Sequence, residues 1–434
     1  GLPYAQRYLY FEEYLNPRPG AGLLDPLEMG LLPPLRGLYR KDLEPPGDDL
    51  WARFAASPCF RELDHIDGVL LSHAHMDHAG YVSFLRLDTP IYASPLTAFV
   101  LKAMQDSGKS DFEKETCYAV PRKAGDSLLE ADRKASAQQR PYRLLSRQLP
   151  GPGAGEFWQM PPGKRGLDLV PLELAQRVGR LPVAYYPVDH SIPGACALGV
   201  ETSAGWVFYT GDLRFHGQQG QLTRQFVEAA GSLRPAVLLG EGSNVGESAG
   251  TTEEEVYENA RRAVAEARGL VVADFAPRNV ERLLTFHRIA AETGRMLLLL
   301  DRDIYLLRAL HLVDPSLPDL ATDPCIRLYD EPRAVETGWL RQVREWCADR
   351  MVSRQAVHRD QAAYILCFSF FDINEFPSLR PSPGSMYVYS SSEAYTEEQA
   401  MDFRRLLNWL EHFGMTFVGD KNLERRFQDQ GKCR

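Results

Sequence analysis

Short apolar runs, set off by Pro- and Gly-punctuated polar stretches, dominate the first half of the chain. Residues 68–72 (GVLLS) and 91–94 (IYAS) predict buried strands. Further strands are predicted at 182–188, 196–202, 206–210 and 236–240. The first 60 residues mix aromatics with PRPGAG and EPPGDD and read as a wrapping segment. Residues 131–147 carry Arg133, Lys134, Arg140, Arg143 and Arg147 and predict a charged, solvated face, with a grip on a nucleic-acid backbone as the alternative. The Pro/Gly-rich stretch 149–166 that follows predicts a long mobile loop.

From about residue 250 the periodicity changes. Thr251 and Thr252 each stand three residues before a Glu, the capping-box spacing, and Val256, Ala260, Ala263, Val264 and Ala267 then form one apolar helix face. Strand 270–275, helix 278–293 and strand 296–301 follow, then strands at 363–370 and 386–391 and a helix over 396–414. Alternation of this kind predicts a parallel sheet flanked by helices. The fold class is therefore α/β in two parts, with domains expected over 1–245 and 246–434.

Composition narrows the function classes. With 434 residues the chain has room for two or three domains, and 44% hydrophobic with 25% charged residues excludes a disordered or collagen-like polymer. A net charge of −9 argues against a broad polyanion-binding surface while leaving local basic patches open. No apolar run approaches the ~20 residues a membrane-spanning helix needs. Seven cysteines, at 59, 117, 196, 325, 347, 367 and 433, are scattered and contain no CxxC. They read as reduced thiols, so a cytoplasmic protein is expected.

The sharpest chemical feature is LSHAHMDHAG at 71–80. His73, His75, Asp77 and His78 lie within six residues directly after a predicted buried strand. A strand end followed by a tight turn can aim His73 and His75 at one point and Asp77 and His78 at a neighbouring one. Imidazoles mixed with carboxylate suit zinc-class divalent cations. Two more stretches fit the same pattern: PVDHSIPGA at 187–195 carries His190 in a loop after a strand, and YTGDL at 209–213 carries Asp212 after another. An isolated His or Asp would ordinarily be a cap or a solvated side chain; the upstream cluster favours the ligand reading for both.

Taken together, His73-Ala-His75-Met-Asp77-His78, His190 and Thr210-Gly211-Asp212 resemble the signature of the metallo-β-lactamase superfamily. In the second half, VLLGEGSNVG at 237–246 and the stretch 273–295 resemble the β-CASP branch of ribonuclease J-type nucleases. The resemblance implies an αββα sandwich, incomplete here, joined to a second α/β domain. It implies that His73, His75 and His190 ligate one zinc, that Asp77 and His78 ligate a second, and that Asp212 bridges them. Cleavage of single-stranded RNA by a hydroxide held between two zinc ions is the implied reaction. Asp77 is then the group that orients the hydroxide and takes its proton, and Glu241 the carboxylate supporting the ligands. Arg278 and Asn279, at a helix start where backbone N–H groups attract phosphate, and Ser243 are candidate substrate contacts, with a helix-surface salt bridge the alternative for the first two.

The chain departs from that pattern at two places. It lacks the opening strands and the two later histidines of the family, since after His358 only His412 remains, inside the helix predicted at 396–414. The second zinc thus has at most three protein ligands, and a fragment of a longer enzyme with weak turnover is expected. Two other classes stay open: a small-molecule hydrolase sharing the metal loop, and an inactive nucleic-acid-binding fragment. A homodimer is among the assemblies left open. His65 and His216 fit no ligand spacing, and Cys196 reads as a strand-core thiol.

Overall fold

The computed structural model describes residues 10–11, 15–47, 49–108, 112–161, 163–242, 252–276, 278–333, 336–390 and 397–419. The chain divides into two compact units: 1–215 with 219–243 and 309–315, and 216–218 with 244–308 and 316–434.

In the first unit, β1 (Val69–Leu70) is followed by the short helix α1 (Met76–Ala79), β2 (Ile91–Ala93) and helix α2 (Pro95–Ser107). Strands β3 (Tyr142–Leu144) and β4 (Glu173–Leu174) complete a parallel sheet in the order β4-β3-β2-β1. A second sheet runs β5 (Arg177–Val178), β6 (Leu181–Pro187), β7 (Cys196–Thr202), β8 (Gly205–Tyr209) and β9 (Val237–Leu239), in that spatial order. Its pairs are antiparallel except β8–β9.

The period-2 alternation of strands explains how the layers stack. Cys196 and Leu198 on β7 face inward, where they meet Tyr92 and Leu145 from the parallel sheet. Ala197, between them in sequence, faces outward with Phe208 and packs under Phe226 and Ala230 of helix α3 (Gly220–Leu233). On the far side, Phe99 of α2 packs on Trp158, which in turn meets Tyr142 of β3. The first unit is therefore layered helix, sheet, sheet, helix.

Two expectations for this unit change. The 149–166 stretch contains a helical turn, Ala154–Gln159, because adjacent Phe157 and Trp158 are both buried against the α2 side. Within the basic 131–147 stretch, Arg133, Lys134 and Arg147 are exposed, but Arg140 is completely buried. Its guanidinium donates to the carbonyls of Ser83, Leu85 and Arg86, and burial, with the charge of Arg40, lowers its pKa to about 10. It is an internal strut, not part of a solvated face. The opening segment does wrap, as read: Leu23, Leu27, Leu43 and Trp51 form a core with Phe84 and Phe112.

The second unit is built on seven parallel strands. These are β10 (Val271–Asp274), β11 (Met296–Leu299), β12 (Ile326–Asp330), β13 (Met351–Ser353), β14 (Tyr364–Cys367), β15 (Met386–Tyr389) and β16 (Thr416–Val418). Their order is β13-β12-β11-β14-β10-β15-β16. The interior strands are buried on both faces, as parallel strands covered by helices must be: all of β10 and three residues of β11 are buried. Helix α4 (Glu253–Glu266) starts at the Thr252–Glu255 capping box, while Thr251 lies outside the described residues. Helix α5 (Val280–Thr293) starts on Asn279, and Phe403, Leu406 and Leu410 of helix α6 (Glu397–His412) join the core with Val272, Leu366 and Tyr387.

Asp274 ends β10 inside this core, its Oδ2 accepting a 2.6 Å hydrogen bond from Tyr387. Burial raises its pKa to about 7, outweighing that hydrogen bond, and the charge of Asp372 adds to the rise. A carboxyl whose folded pKa lies above its unfolded value holds extra protons in the folded state between the two. Its contribution is therefore full near pH 4 and is lost as pH rises to about 7. Denaturant midpoints of the whole chain should fall over that interval, and Asp274→Asn should make the fall shallower, by on the order of a few kcal/mol. An equal slope in the variant would show that Asp274 ionises freely in the fold.

Candidate metal centre

The site residues stand at strand ends on one edge of the sandwich. β1 ends at Leu70 and the chain runs through Leu71 and Ser72 into His73. Leu71 N–H donates to Tyr92 O, and Ser72 O accepts Cys196 N–H at 3.0 Å, so this exit is tied to both sheets. His75 is extended (φ −65°, ψ 144°), and the backbone turns helical at Met76, with Ala79 N–H donating to His75 O. That switch from extended to helical backbone returns Asp77 and His78 beside His73.

His190 follows β6 in a loop held from behind. Gly194 O accepts both Ser94 Oγ and Thr97 Oγ1 at the start of α2. Asp189 N–H donates to Thr223 Oγ1, and Arg214 Nε donates to Asp189 Oδ1. Asp212 follows β8 through Gly211, whose φ of +59° suits glycine. A Cβ there would lie 2.8 Å from Ser72 Cβ and 3.2 Å from Cys196 O, so the absence of a side chain lets the two strand exits meet.

Two donor sets result. One donor atom each from His73, His75, His190 and Asp212 lies within 4.8 Å of the others, and the same holds for Asp77, His78 and Asp212. Asp212 belongs to both. Its Oδ2 is 3.7 Å from His73 Nε2 and 3.9 Å from His190 Nε2, whereas Oδ1 is 3.2 Å from His78 Nε2. His190 Nε2 and His75 Nδ1 are 3.0 Å apart, and His78 Nε2 and Asp77 Oδ2 are 3.2 Å apart. Ser72 Oγ lies 3.1 Å from His73 Nδ1, and Tyr209 Oη 3.3 Å from His78 Nδ1.

The electrostatics differ between the sets. Burial, reinforced by the neighbouring imidazoles, lowers the pKa of His73 to about 2. Burial and His75 lower that of His190 to about 4. Both rings are neutral at pH 7, with lone pairs available to a cation. His78 goes the other way: burial opposes its charge, but hydrogen bonds and charges from Asp212 and Asp77 raise it to about 9. Burial works against the ionised forms of Asp77 and Asp212, yet the hydrogen bond and charge of His78 hold both below the usual carboxylate range.

These residues fit divalent cations. His73 Nε2 is completely buried without a hydrogen-bond partner, a costly state that a metal ligand relieves. Three neutral-capable imidazoles and a carboxylate suit a borderline cation; carboxylates with one imidazole suit a second.

Glu241, after β9, reaches this centre through the backbone: its Oε1 accepts Leu213 N–H at 3.2 Å, and its own N–H donates to Thr210 Oγ1. It thereby braces both sides of Asp212. Ser243 lies outside the described residues. Arg278 and Asn279 belong to the second unit, where Asn279 Oδ1 caps α5 by accepting Arg282 N–H. His65 and His216 are exposed; Cys196 is buried, its thiol pushed up to about 12 by desolvation. Ser72 and Tyr209, in contact with ligand rings, were not read from the sequence. Their only signal was adjacency to the two motifs.

The layers define an α/β sandwich that carries, at one edge, donor groups able to hold metal ions. No family profile matches the chain. It is similar to ribonuclease J of Sinorhizobium meliloti, 27% identical over 269 residues, which cover 60% of this chain and 39% of that protein. Ribonuclease J of Mycobacterium tuberculosis is 25% identical over 242 residues, 54% of this chain and 34% of that protein. Ribonuclease J 2 of Staphylococcus aureus is 22% identical over 248 residues, 56% of this chain and 35% of that protein. The chain thus matches little more than a third of the length of these relatives. A crystal structure of an Enterococcus faecalis protein of unknown function shares the fold, with TM-score 0.60 and 20% identity over 94% of this chain and 79% of that one. The relatives support a ribonuclease J-like relationship within the metallo-β-lactamase/β-CASP proteins.

Gly211→Ala should lower stability by about 1–3 kcal/mol, from positive-φ strain and the Ser72 contact. Because it displaces Asp212, bound divalent metal should fall in both sets. Unaltered metal content by mass spectrometry would show that the strand exits tolerate separation.

Proposed function

We propose that this protein is a metal-dependent nuclease that hydrolyses phosphodiester bonds of single-stranded RNA, with two zinc ions as its cations. The observation that carries the reading is the single carboxylate, Asp212, shared by two adjacent donor sets. The ribonuclease J relatives support the substrate class. His73, His75, His190 and Asp212 would hold one ion, and Asp77, His78 and Asp212 the other. Two such ions, when bound, supply Lewis-acid polarisation of the phosphodiester and a nucleophile at neutral pH.

The chain's own groups do the rest. Asp77 is ionised at neutral pH and half exposed, so it can accept a hydrogen bond from an attacking water and take its proton. Tyr209 Oη, beside His78 Nδ1, fixes the orientation of that ring. Glu241 keeps Asp212 in place through Leu213 N–H. The second unit is read as the β-CASP-like domain. Arg278 of that unit and Ser243 of the first are the proposed substrate contacts; Asn279, whose side chain caps α5, contributes through the helix start. None of the helices searched among the described residues is long and apolar enough to cross a membrane, and a cytoplasmic setting is part of the proposal.

Metal content and cleavage of 5′-labelled single-stranded RNA test the reading together. Two zinc ions at the centre around Asp212 and chelator-sensitive RNA loss are expected. Turnover should be slow, because the second donor set has three protein groups among the described residues. His75→Ala should remove one ion and lower cleavage by on the order of a hundredfold or more, as expected when a group holding the nucleophile's cation is lost. Intact RNA with both ions bound, or undiminished cleavage in His75→Ala, would overturn it.

A further inference from the structure

The second unit carries another group of donors, remote in sequence from every motif above. His287 lies on α5, Asp323 in the turn before β12, and Cys325 immediately before that strand. One donor atom from each lies within 4.8 Å of those of the other two, and all three residues are partly exposed. We propose that His287, Asp323 and Cys325 form a binding site for a zinc-class divalent cation, fastening α5 to the start of β12.

The backbone around the site is already fixed. Asp323 Oδ1 accepts the N–H groups of Cys325 and Ile326 at 2.9 and 3.0 Å, which orients the carboxylate. Its Oδ2 is 2.7 Å from His287 Nε2. Cys325 O accepts Leu297 N–H, tying the turn to β11. The neighbouring guanidiniums are directed at carbonyls: Arg327 donates to Pro324 O and Ile326 O, Arg350 to Ala321 O and Asp323 O. Their hydrogen bonds hold the turn and leave the donor atoms facing one another.

The chemistry selects the cation. Sulfur, imidazole nitrogen and carboxylate oxygen together suit zinc or cobalt(II), while magnesium and calcium avoid sulfur. Tetrahedral zinc with bonds of about 2.0–2.3 Å separates its ligands by roughly 3.3–3.7 Å. The His–Asp pair at 2.7 Å is slightly tight, and no pair exceeds 4.8 Å, so side-chain adjustments of about 1 Å suffice. Burial and the Asp323 charge raise the Cys325 pKa, so without a cation it stays a thiol. On binding, the sulfur–metal bond forms as the thiol proton leaves to solvent. With three protein donors the fourth position stays open, and exchangeable binding is expected.

Cobalt(II) titration of the whole chain separates this site from the first centre, because neither set around Asp212 contains sulfur. A near-ultraviolet thiolate-to-cobalt charge-transfer band should appear. Cys325→Ser should abolish it with loss of one cobalt equivalent, and His75→Ala should leave it in place. Absence of the band, or its survival in Cys325→Ser, would overturn the proposal. Should that variant fold poorly, the unmutated chain still decides. Zinc should slow iodoacetamide alkylation at Cys325, read by peptide mass spectrometry, about tenfold or more, with recovery on adding chelator. Alkylation at an unchanged rate would also overturn it.

Discussion

One carboxylate joins the two halves of the centre. Asp212 presents one oxygen to His73 and His190 and the other to His78, so its position decides whether the two donor sets share a group. That position depends on two sheets whose strand exits nearly touch: Ser72 O bonds Cys196 N–H on one side, and Gly211 fits against Ser72 on the other. The inward-facing Tyr92, Leu145, Cys196 and Leu198 hold those sheets at this spacing. The hydrophobic layer of the sandwich and the polar centre at its edge are thus one structural device.

The centre is built against its own stability. Three imbalances coexist within a few ångströms: two imidazoles stripped of water and held neutral, one imidazolium clamped between carboxylates, and a buried nitrogen without a partner. A fold optimised only for stability would fill such a space with apolar side chains. A cation reverses each imbalance by giving every lone pair a partner, so the energetic cost makes sense as stored affinity for a ligand.

Legibility in the sequence followed the range of the interaction. His73, His75, Asp77 and His78 could be read because their geometry is set within six residues by one strand and one helical turn. His190 and Asp212 could be read because each follows a strand with its own apolar run. Strands β6 to β9 of the second sheet were legible from their apolar runs, and helices α4 to α6 from periodicity, because each helix buries a single stripe; the two-residue β5 was not. Nor was strand β12, since Arg327 and Asp330 interrupt the short apolar run of Ile326, Leu328 and Tyr329. Arg140 was misjudged because a guanidinium is buried only when carbonyls from Ser83, Leu85 and Arg86 surround it, and those lie more than fifty residues away. His287 and Cys325 were silent for the same reason: neither carries a local pattern, and α5 must pack beside β12 before they meet.

The support of Asp212 has an asymmetry with consequences for how the centre behaves. On the parallel-sheet side, His73 is wholly buried and its exit strand is bonded to both sheets. On the other, Glu241 braces Asp212 from β9, a three-residue strand paired with β8, whose Val237, Leu238 and Leu239 are each about half exposed. Short strands with little burial open more readily than central ones. Local opening would therefore begin at β9, releasing Glu241 first and Asp212 next, while His73, His75 and His190 keep their places. The His-rich set should in consequence be the persistent one. The set formed by Asp77, His78 and Asp212, which depends on the braced carboxylate and on displacing the His78 proton, should be the conditional one. In physical terms the centre is a rigid trio of imidazoles to which a second, more labile position is appended by a single aspartate.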